Sequence, residues 1–180
     1  MFGVPAADIA VYFSGNRGYH LHVHDRRFET LDTTARAEVA KYVRGTGLVR
    51  QQLSESAPTL GWAQRAASLP QGAKPGQAAD EFGSRIDESV TTDIHRIFRM
   101  PGTLHGNSGL LKMRVHDLQA FRPEYDPVVL GDEPVPTWVF GSPEFRLKGR
   151  EFGPYSSEEA EVPTYAAVYM MTKGLARVAD

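Results

Sequence analysis

Residues 9–24 read IAVYFSGNRGYHLHVH, and the fold is predicted outward from this stretch. Large apolar side chains recur at every second position of residues 9–13, which is typical of a half-buried strand. Residues 19–24 alternate in the same way, and the loop between the two runs contains Gly15 and Gly18. Because glycine permits the backbone angles that a tight turn requires, the stretch predicts a β-hairpin.

Two helices are predicted between this hairpin and the middle of the chain. Asp32, Thr33 and Thr34 are all competent N-caps for a helix that ends at Gly45. Ser89 is predicted to cap a second helix, which must stop near Met100 because a proline follows. The apolar side chains at helical spacing in this second helix are Val90, Ile94 and Ile97.

Together with the elements that follow, the hairpin and the two helices predict a single α+β domain that covers residues 1–180. Further strands are predicted at 110–115, 137–140 and 145–147. A last helix begins at Pro163, and its predicted buried face comprises Val168, Met171, Leu175 and Val178. Residues 54–84 are rich in small and polar side chains, which favours an irregular or mobile insertion. Strands and helices that alternate in blocks are typical of the α+β class.

The composition excludes several classes of protein and site. The net charge is −2, so any attraction for nucleic acid must be local. The chain has no cysteine, which excludes disulfides and thiolate zinc sites within it. It has neither a long apolar run nor a basic, apolar leader at its start, so we expect no membrane span and a cytoplasmic location.

The loop of the predicted hairpin is a candidate anion site. Gly15 and Gly18 expose backbone N–H groups, Ser14 adds a hydroxyl, and Arg17 adds a guanidinium that can bind phosphate oxygens. His20 begins the next strand and can reach the same anion. The alternative interpretation is a plain hairpin turn with a surface arginine, because short glycine-rich motifs are common.

His20, His22 and His24 form a second pattern within the same stretch. Alternation places all three on one face of a strand, and two histidines at this spacing can bind a transition metal. A partly exposed strand face with histidines is also ordinary, and the base rates favour this simpler interpretation over a metal site. Only His20 lies next to a loop that supports a functional role.

Residues 96–109 read RIFRMPGTLHGNSG and form the second candidate site. Arg96 and Arg99 are spaced to share a helical face, and His105 lies at the centre of a polar, glycine-rich loop. Arginine, histidine and free backbone amides together are typical of phosphate sites. Cations at a helix C-terminus are the simpler explanation of the arginines. Asp87, upstream, is the kind of lone aspartate that is usually a helix cap or a solvated charge, and a metal role would need companion ligands.

Both segments resemble those of the catalytic (small) subunit of archaeal and eukaryotic DNA primase, and archaeal members most closely. The first segment matches the family at Ser14, Gly15, Arg17, Gly18 and His20. The second matches it at Arg99, Pro101, Thr103, Leu104, His105 and Gly109, and Asp87 upstream of this segment matches a family aspartate. Residues 31–45 and 162–169 also resemble helices of the family, so the resemblance runs from end to end and is weakest at 50–80.

The resemblance implies the primase-polymerase fold, a mixed sheet with flanking helices, and a site for the incoming nucleoside triphosphate. It implies that the nucleotide-binding residues are Ser14, Gly15, Arg17, Gly18, His20, Arg99 and His105. Asp87 would be a catalytic carboxylate and a ligand of Mg²⁺ or Mn²⁺. The reaction would be two-metal phosphoryl transfer that makes a primer on single-stranded DNA. The primase large subunit would be a partner.

The chain departs from the family in lacking the Asp-x-Asp pair and the zinc knuckle that precede the hairpin. We therefore expect an N-terminally incomplete catalytic domain that is inactive alone. It would be a fragment, a split-gene product whose partner chain supplies the missing half, or a degenerate homologue. A catalytically incomplete nucleotide- or nucleic-acid-binding module is the second hypothesis. Another member of the primase-polymerase superfamily is the third, although the C-terminal helix favours the replicative primases.

Overall fold

The computed structural model describes residues 2–47, 61, 62, 64 and 84–179. The prediction of an irregular insertion at 54–84 falls almost entirely outside these residues and stays a prediction. The chain divides into two compact units. The first comprises Met1–Ile9 and Val23–Ile97, and the second comprises Ala10–His22 and Phe98–Asp180.

The described residues of the first unit are mainly helical, and they include a short 3-10 helix at Ala6–Asp8 and helical residues at 61, 62 and 64. Helix α1 is Arg26–Glu29, helix α2 is Thr33–Arg44 and helix α3 is Glu88–Thr92. The Asp32 side chain accepts a 2.8 Å hydrogen bond from the Ala35 N–H and so caps α2. Gly45 ends that helix in the left-handed conformation, with φ of 72°. The predicted start and end of α2 are therefore confirmed.

Helix α3 corrects the second helix prediction. Its N-cap is Asp87 rather than Ser89, and it ends at Thr92, well short of Met100. Ile94 and Ile97 lie beyond it and are 57% and 93% exposed. The helix ends early because Asp93 has extended backbone, and its side chain accepts a 2.9 Å hydrogen bond from the His95 N–H.

The prediction that Arg96 and Arg99 share a helical face is therefore wrong. Both residues lie beyond the last residue of α3, in backbone that is not helical. Arg96 belongs to the first unit and Arg99 to the second. The helix dipole consequently does not account for either arginine.

A three-stranded sheet carries the predicted hairpin, and it lies in the second unit except for Ile9 and Val23. Strand β1 is Ile9–Phe13, β2 is Tyr19–Val23 and β3 is Met113–Val115. The strand order is β2-β1-β3, and β1 and β3 are antiparallel with Val11 opposite Val115. The predicted hairpin is confirmed, whereas the strand predicted at 110–115 is shorter and begins at Met113.

A second sheet and a last helix complete the second unit. Strand β4 (Pro134–Ser142) pairs antiparallel with both β7 (Tyr155–Pro163) and β8 (Ala176–Val178). Strands β5 (Phe145–Leu147) and β6 (Arg150–Phe152) form a separate antiparallel pair. Helix α4 is Thr164–Thr172. The sequence prediction missed β6, β7 and β8, and the mixed helices and antiparallel sheets confirm the α+β class.

Helix α4 begins where the sequence predicts but buries a different face. Pro163 is its N-cap, and its buried residues are Tyr165, Ala166, Ala167 and Met170. Val168 and Met171 are only partly buried, and Val178 is 55% exposed in β8. The helix stops before Gly174, whose φ of 70° turns the chain back toward β4, so the predicted stripe never continues to Val178.

The core of the second unit lies between its sheets and α4. Phe13, Val139, Ala166 and Met170 are each at most 1% exposed and belong to one hydrophobic cluster with Phe152. In the part of the chain that the structure describes, no helix has the length and apolar character needed to cross a membrane.

Candidate functional site

The hairpin loop at residues 14–18 is closed by its own serine. The Ser14 Oγ accepts hydrogen bonds from the N–H groups of Asn16 and Gly18, at 3.2 and 3.3 Å. The Ser14 N–H donates to the Gly18 carbonyl at 2.8 Å. The Gly18 amide is thus used inside the loop, and the Ser14 hydroxyl keeps its own proton to donate.

The hairpin loop packs directly against the loop that carries His105. Gly15 has a φ of 87°, and a Cβ atom added there would lie 2.8 Å from the His105 Cβ and 2.9 Å from the Leu110 carbonyl oxygen. The Ser108 Oγ donates a hydrogen bond to the Gly15 carbonyl, and Ser108 is only 1% exposed. The structure therefore brings together two segments that are more than 80 residues apart in the sequence.

Backbone hydrogen bonds shape the His105 loop. The His105 N–H donates to Leu110, and the His105 carbonyl accepts from Ser108 and Gly109 at 3.1 and 2.8 Å. The Nδ1 atom of His105 accepts a 3.1 Å hydrogen bond from the Asn107 N–H, which assigns the ring proton to Nε2. Burial, with the charges of Arg99 and Lys173, lowers the pKa of His105, so the ring is a neutral donor.

Arg99 and Arg17 are the two predicted cations of this site, and both side chains are exposed. The Nη1 atom of Arg99 donates to the Leu104 carbonyl at 3.0 Å, which leaves other guanidinium donors available. Arg17 is at the tip of the hairpin loop, and none of the described residues accepts a hydrogen bond from its guanidinium. Within the described part of the chain, the donors of Arg17 are therefore available to a ligand.

Lys112 connects His20 to the start of the second segment. Its side chain is completely buried, although lysine is rarely buried without a partner. The Nζ atom donates to the Arg99 carbonyl at 2.7 Å, and it lies 3.3 Å from the His20 Nδ1 and 5.8 Å from the centre of the Tyr12 ring. Burial, followed by the charge of Arg99, lowers the pKa of Lys112.

An open cleft of about 470 Å³ lies at the tips of the two loops. Arg17 and Asn16 line it from the hairpin loop, and Asn107 lines it from the His105 loop. Thr172 and Lys173, at the end of α4, complete the lining. Of these five residues, only Arg17 was predicted from the sequence.

His20, His22 and His24 differ in their exposure to solvent. His20 and His22 are half-buried on β2, and their rings lie within 6.0 Å of the Phe98 ring. His24 follows the strand and is exposed. Among the described residues no group of three His, Cys, Asp or Glu side chains is placed to hold a metal ion.

Asp87 belongs to the first unit, where it caps α3. Its Oδ1 accepts hydrogen bonds from the Ser89 N–H at 3.0 Å and from the Ser89 hydroxyl at 2.6 Å. Arg96 lies 3.8 Å from its Oδ2. The Ser89 hydrogen bond and the Arg96 charge lower the pKa of Asp87, so it is ionised at neutral pH. One carboxylate so engaged does not fit a two-metal site, which needs several oxygen ligands.

Residues 1–116 match the family model for the DNA primase small subunit. This chain belongs to that family. The DNA primase small subunit PriS of Nitrosopumilus maritimus is 34% identical over 96% of this chain and 55% of that protein. PriS of Cenarchaeum symbiosum is also 34% identical, over 98% of this chain and 56% of that protein. PriS of Thermoplasma acidophilum is 32% identical over 97% of this chain and 61% of that protein. The predicted family is confirmed.

This primase small-subunit chain spans little more than half the length of the curated relatives named above. The matched residues 1–116 contain both loops and Asp87. Sequence reasoning missed Ser108 and Lys112 as parts of the site, because both act through contacts with residues distant in the chain. It missed Lys173, since a lysine after a helix is ordinary. The polar run after His105 was the one available signal for Ser108.

Proposed function

We propose that this chain is the nucleotide-binding portion of a primase small subunit, and that its two loops hold the triphosphate of the incoming nucleotide. The hydrogen bond from Ser108 to the Gly15 carbonyl carries this proposal, because it joins the two family segments into one structure. The joined loops present Arg17 and Asn107 to the same cleft. A guanidinium beside neutral donors is well suited to phosphate oxygens.

Each predicted residue then has a distinct role in binding. Arg17 would bind phosphate oxygens through its exposed guanidinium, and Arg99 would add a second charge. The Nε2–H of neutral His105 would donate to a phosphate oxygen. Ser14 would contribute its hydroxyl, and His20 would bind the phosphates or the sugar. Gly15 and Gly18 would contribute through the shape of the loops, because Gly15 permits the two loops to pack closely and the Gly18 amide closes the hairpin loop.

For the whole subunit, we propose primer synthesis on a single-stranded DNA template by two-metal phosphoryl transfer, with the primase large subunit as a partner. Mg²⁺ or Mn²⁺ would supply charge neutralisation at the phosphates. Asp87 would be one ligand, and the other carboxylates would come from a segment or partner chain outside this sequence. Asp87 alone does not supply enough oxygen ligands for two metal ions, so we expect this chain by itself to be inactive.

A nucleotide- or nucleic-acid-binding module without catalysis is the second candidate. The sequence favours it for this chain alone, because no Asp-x-Asp pair is present. The two candidates differ when the chain is assayed together with an N-terminal segment that carries the carboxylate pair. Restored primer synthesis on a single-stranded template supports the primase portion, and continued inactivity with intact nucleotide binding supports the binding module.

Calorimetric titration of this chain with ATP tests the shared part of both candidates. We expect binding, with and without Mg²⁺ or Mn²⁺, that Arg17→Ala weakens by about 1.5–3 kcal/mol through the loss of a charge-assisted contact. Arg150→Ala is the matched control, because Arg150 is an exposed arginine on β6 that does not line the cleft. Equal ATP affinity in Arg17→Ala and the unmodified chain would show that the loop is not a phosphate site.

A further inference from the structure

The residues that line the cleft at the loop tips are all polar or charged. Two cations, two amides and one hydroxyl line it, from Arg17, Lys173, Asn16, Asn107 and Thr172. This lining contains neither a carboxylate nor an aromatic or aliphatic side chain. A nucleobase is usually held by apolar or aromatic surface, whereas phosphates are held by cations and neutral donors. The cleft therefore suits a polyanion and does not suit a base.

Lys173 is held in place beside the cleft. Its Nζ lies 4.5 Å from the centre of the Tyr169 ring, one turn earlier on α4, and that ring in turn packs on Phe145 at 4.9 Å. Lys173 lines the same cleft as Asn107 of the His105 loop, and its charge contributes to lowering the pKa of His105. Lys173 has no carboxylate within ion-pair distance among the described residues.

We propose that Lys173 is a further phosphate-binding residue, and that the cleft between Arg17 and Lys173 takes the terminal phosphates of the nucleoside triphosphate. This inference rests on the proposed function, because it extends the same site to a residue beyond the matched residues 1–116. Three sequence-distant elements then contribute to one phosphate subsite: the hairpin loop, the His105 loop and the end of α4. The terminal phosphates fit best, since they carry most of the charge of the ligand.

The alternative explanation is that Lys173 only complements the C-terminal dipole of α4. In that case its removal would lower the stability of the chain and leave nucleotide affinity unchanged. A role in phosphate binding predicts instead that nucleotide affinity falls and that the stability of the chain is unchanged. A phosphate of a nucleic acid backbone is another source of the same chemistry, so the experiment includes an oligonucleotide.

The test compares this chain with Lys173→Gln and Lys173→Arg by calorimetry with ATP, ADP and AMP, and with a single-stranded oligothymidylate. Lys148→Gln is the control for ATP affinity, because Lys148 also lies over a tyrosine ring, at 5.4 Å from Tyr165, and does not line the cleft. Lys148 also forms an ion pair with Asp132 at 2.6 Å, so this variant is not a control for stability. We expect Lys173→Gln to weaken ATP binding roughly tenfold and AMP binding less than about twofold. Lys173→Arg should retain the affinity for ATP, and the melting temperatures of both Lys173 variants should equal that of the unmodified chain.

Each other result overturns a distinct statement. If Lys173→Gln binds ATP as tightly as the unmodified chain, the inference fails and the proposed function stands. If the unmodified chain binds no ATP, the proposed function fails and the inference fails with it. An equal loss for ATP and AMP, a loss for the oligonucleotide alone, or an equal loss in Lys148→Gln each removes the assignment of Lys173 to the terminal phosphates.

Discussion

The Nζ atom of Lys112 lies 3.3 Å from Nδ1 of His20, although the two residues are 92 positions apart in the chain. The same ammonium donates a 2.7 Å hydrogen bond to the carbonyl of Arg99. A buried ammonium costs desolvation free energy that an apolar side chain of similar length would not. The contacts that it makes are with residues of both predicted phosphate-binding segments.

Lys112→Met tests whether this lysine positions the site rather than stabilises the fold. Removing the buried charge relieves desolvation while the Arg99 carbonyl loses its donor, so we expect the free energy of unfolding to change by less than about 1 kcal/mol. ATP affinity should fall about fivefold, because His20 and Arg99 lose a shared anchor. Calorimetry and urea unfolding measure the two effects, with the exposed Lys41→Met as control. A large loss of stability with unchanged ATP affinity would contradict this role.

Gly15→Ala should separate the two loops. The added Cβ would lie 2.8 Å from the His105 Cβ and 2.9 Å from the Leu110 carbonyl, at a φ of 87° that alanine rarely adopts. We expect a loss of about 2 kcal/mol or more in the free energy of unfolding, measured with urea. Gly18→Ala is the matched control in the same loop, because a Cβ there meets nothing within 4 Å. Equal stability of the two variants would show that the loops do not pack as described.

Ser108→Ala should leave the Gly15 carbonyl buried without its donor. Ser108 Oγ also accepts a 3.2 Å hydrogen bond from the Leu110 N–H, so the substitution removes two contacts. We expect a cost of about 1–3 kcal/mol, measured by thermal unfolding. Ser157→Ala is a suitable control, since the exposed Ser157 also donates to a backbone carbonyl, at 3.2 Å from Phe140. A cost no larger than that of the control would refute the bridging role.

His105 should make the stability of the chain depend on pH. Its pKa in the folded state is lowered from the usual 6.5 by burial and by Arg99 and Lys173. The unfolded chain therefore binds a proton at a higher pH than the folded chain, so stability falls as the pH drops below about 6.5. His105→Gln should reduce this fall between pH 7.5 and 5.5. Melting temperatures at several pH values measure it, and parallel curves for both proteins would contradict the shifted pKa.

The elements that the sequence predicts well are those specified by neighbouring residues. The alternation in β1 and β2, the Asp32 cap and the Gly45 stop of α2 all act within a few residues. The family resemblance depends on the same local motifs, and it is confirmed. The Ser14, Arg17, His20, Arg99 and His105 roles remain predictions, although the structure brings these residues into one unit.

The elements that the sequence predicts poorly are those decided by competition between local and distant contacts. Helix α3 ends at Thr92 because the Asp93 side chain accepts a hydrogen bond from the His95 N–H, which competes with continuation of the helix. The spacing of apolar residues gives no information about this competition. The buried face of α4 depends on where β8 returns to β4 after Gly174. Strand β7 is largely polar, so alternation gives little signal of it.

The sequence by itself determined the hairpin, helix α2, the α+β class and the family, because periodicity, caps and glycine turns are short-range properties of the chain. Only the tertiary structure decided that Ser108 joins the two loops, that Lys112 is buried between His20 and Arg99, and that Lys173 lines the cleft. These contacts link residues far apart in the chain, and they exist only once the core around Phe13 and Met170 has brought the strands and α4 together.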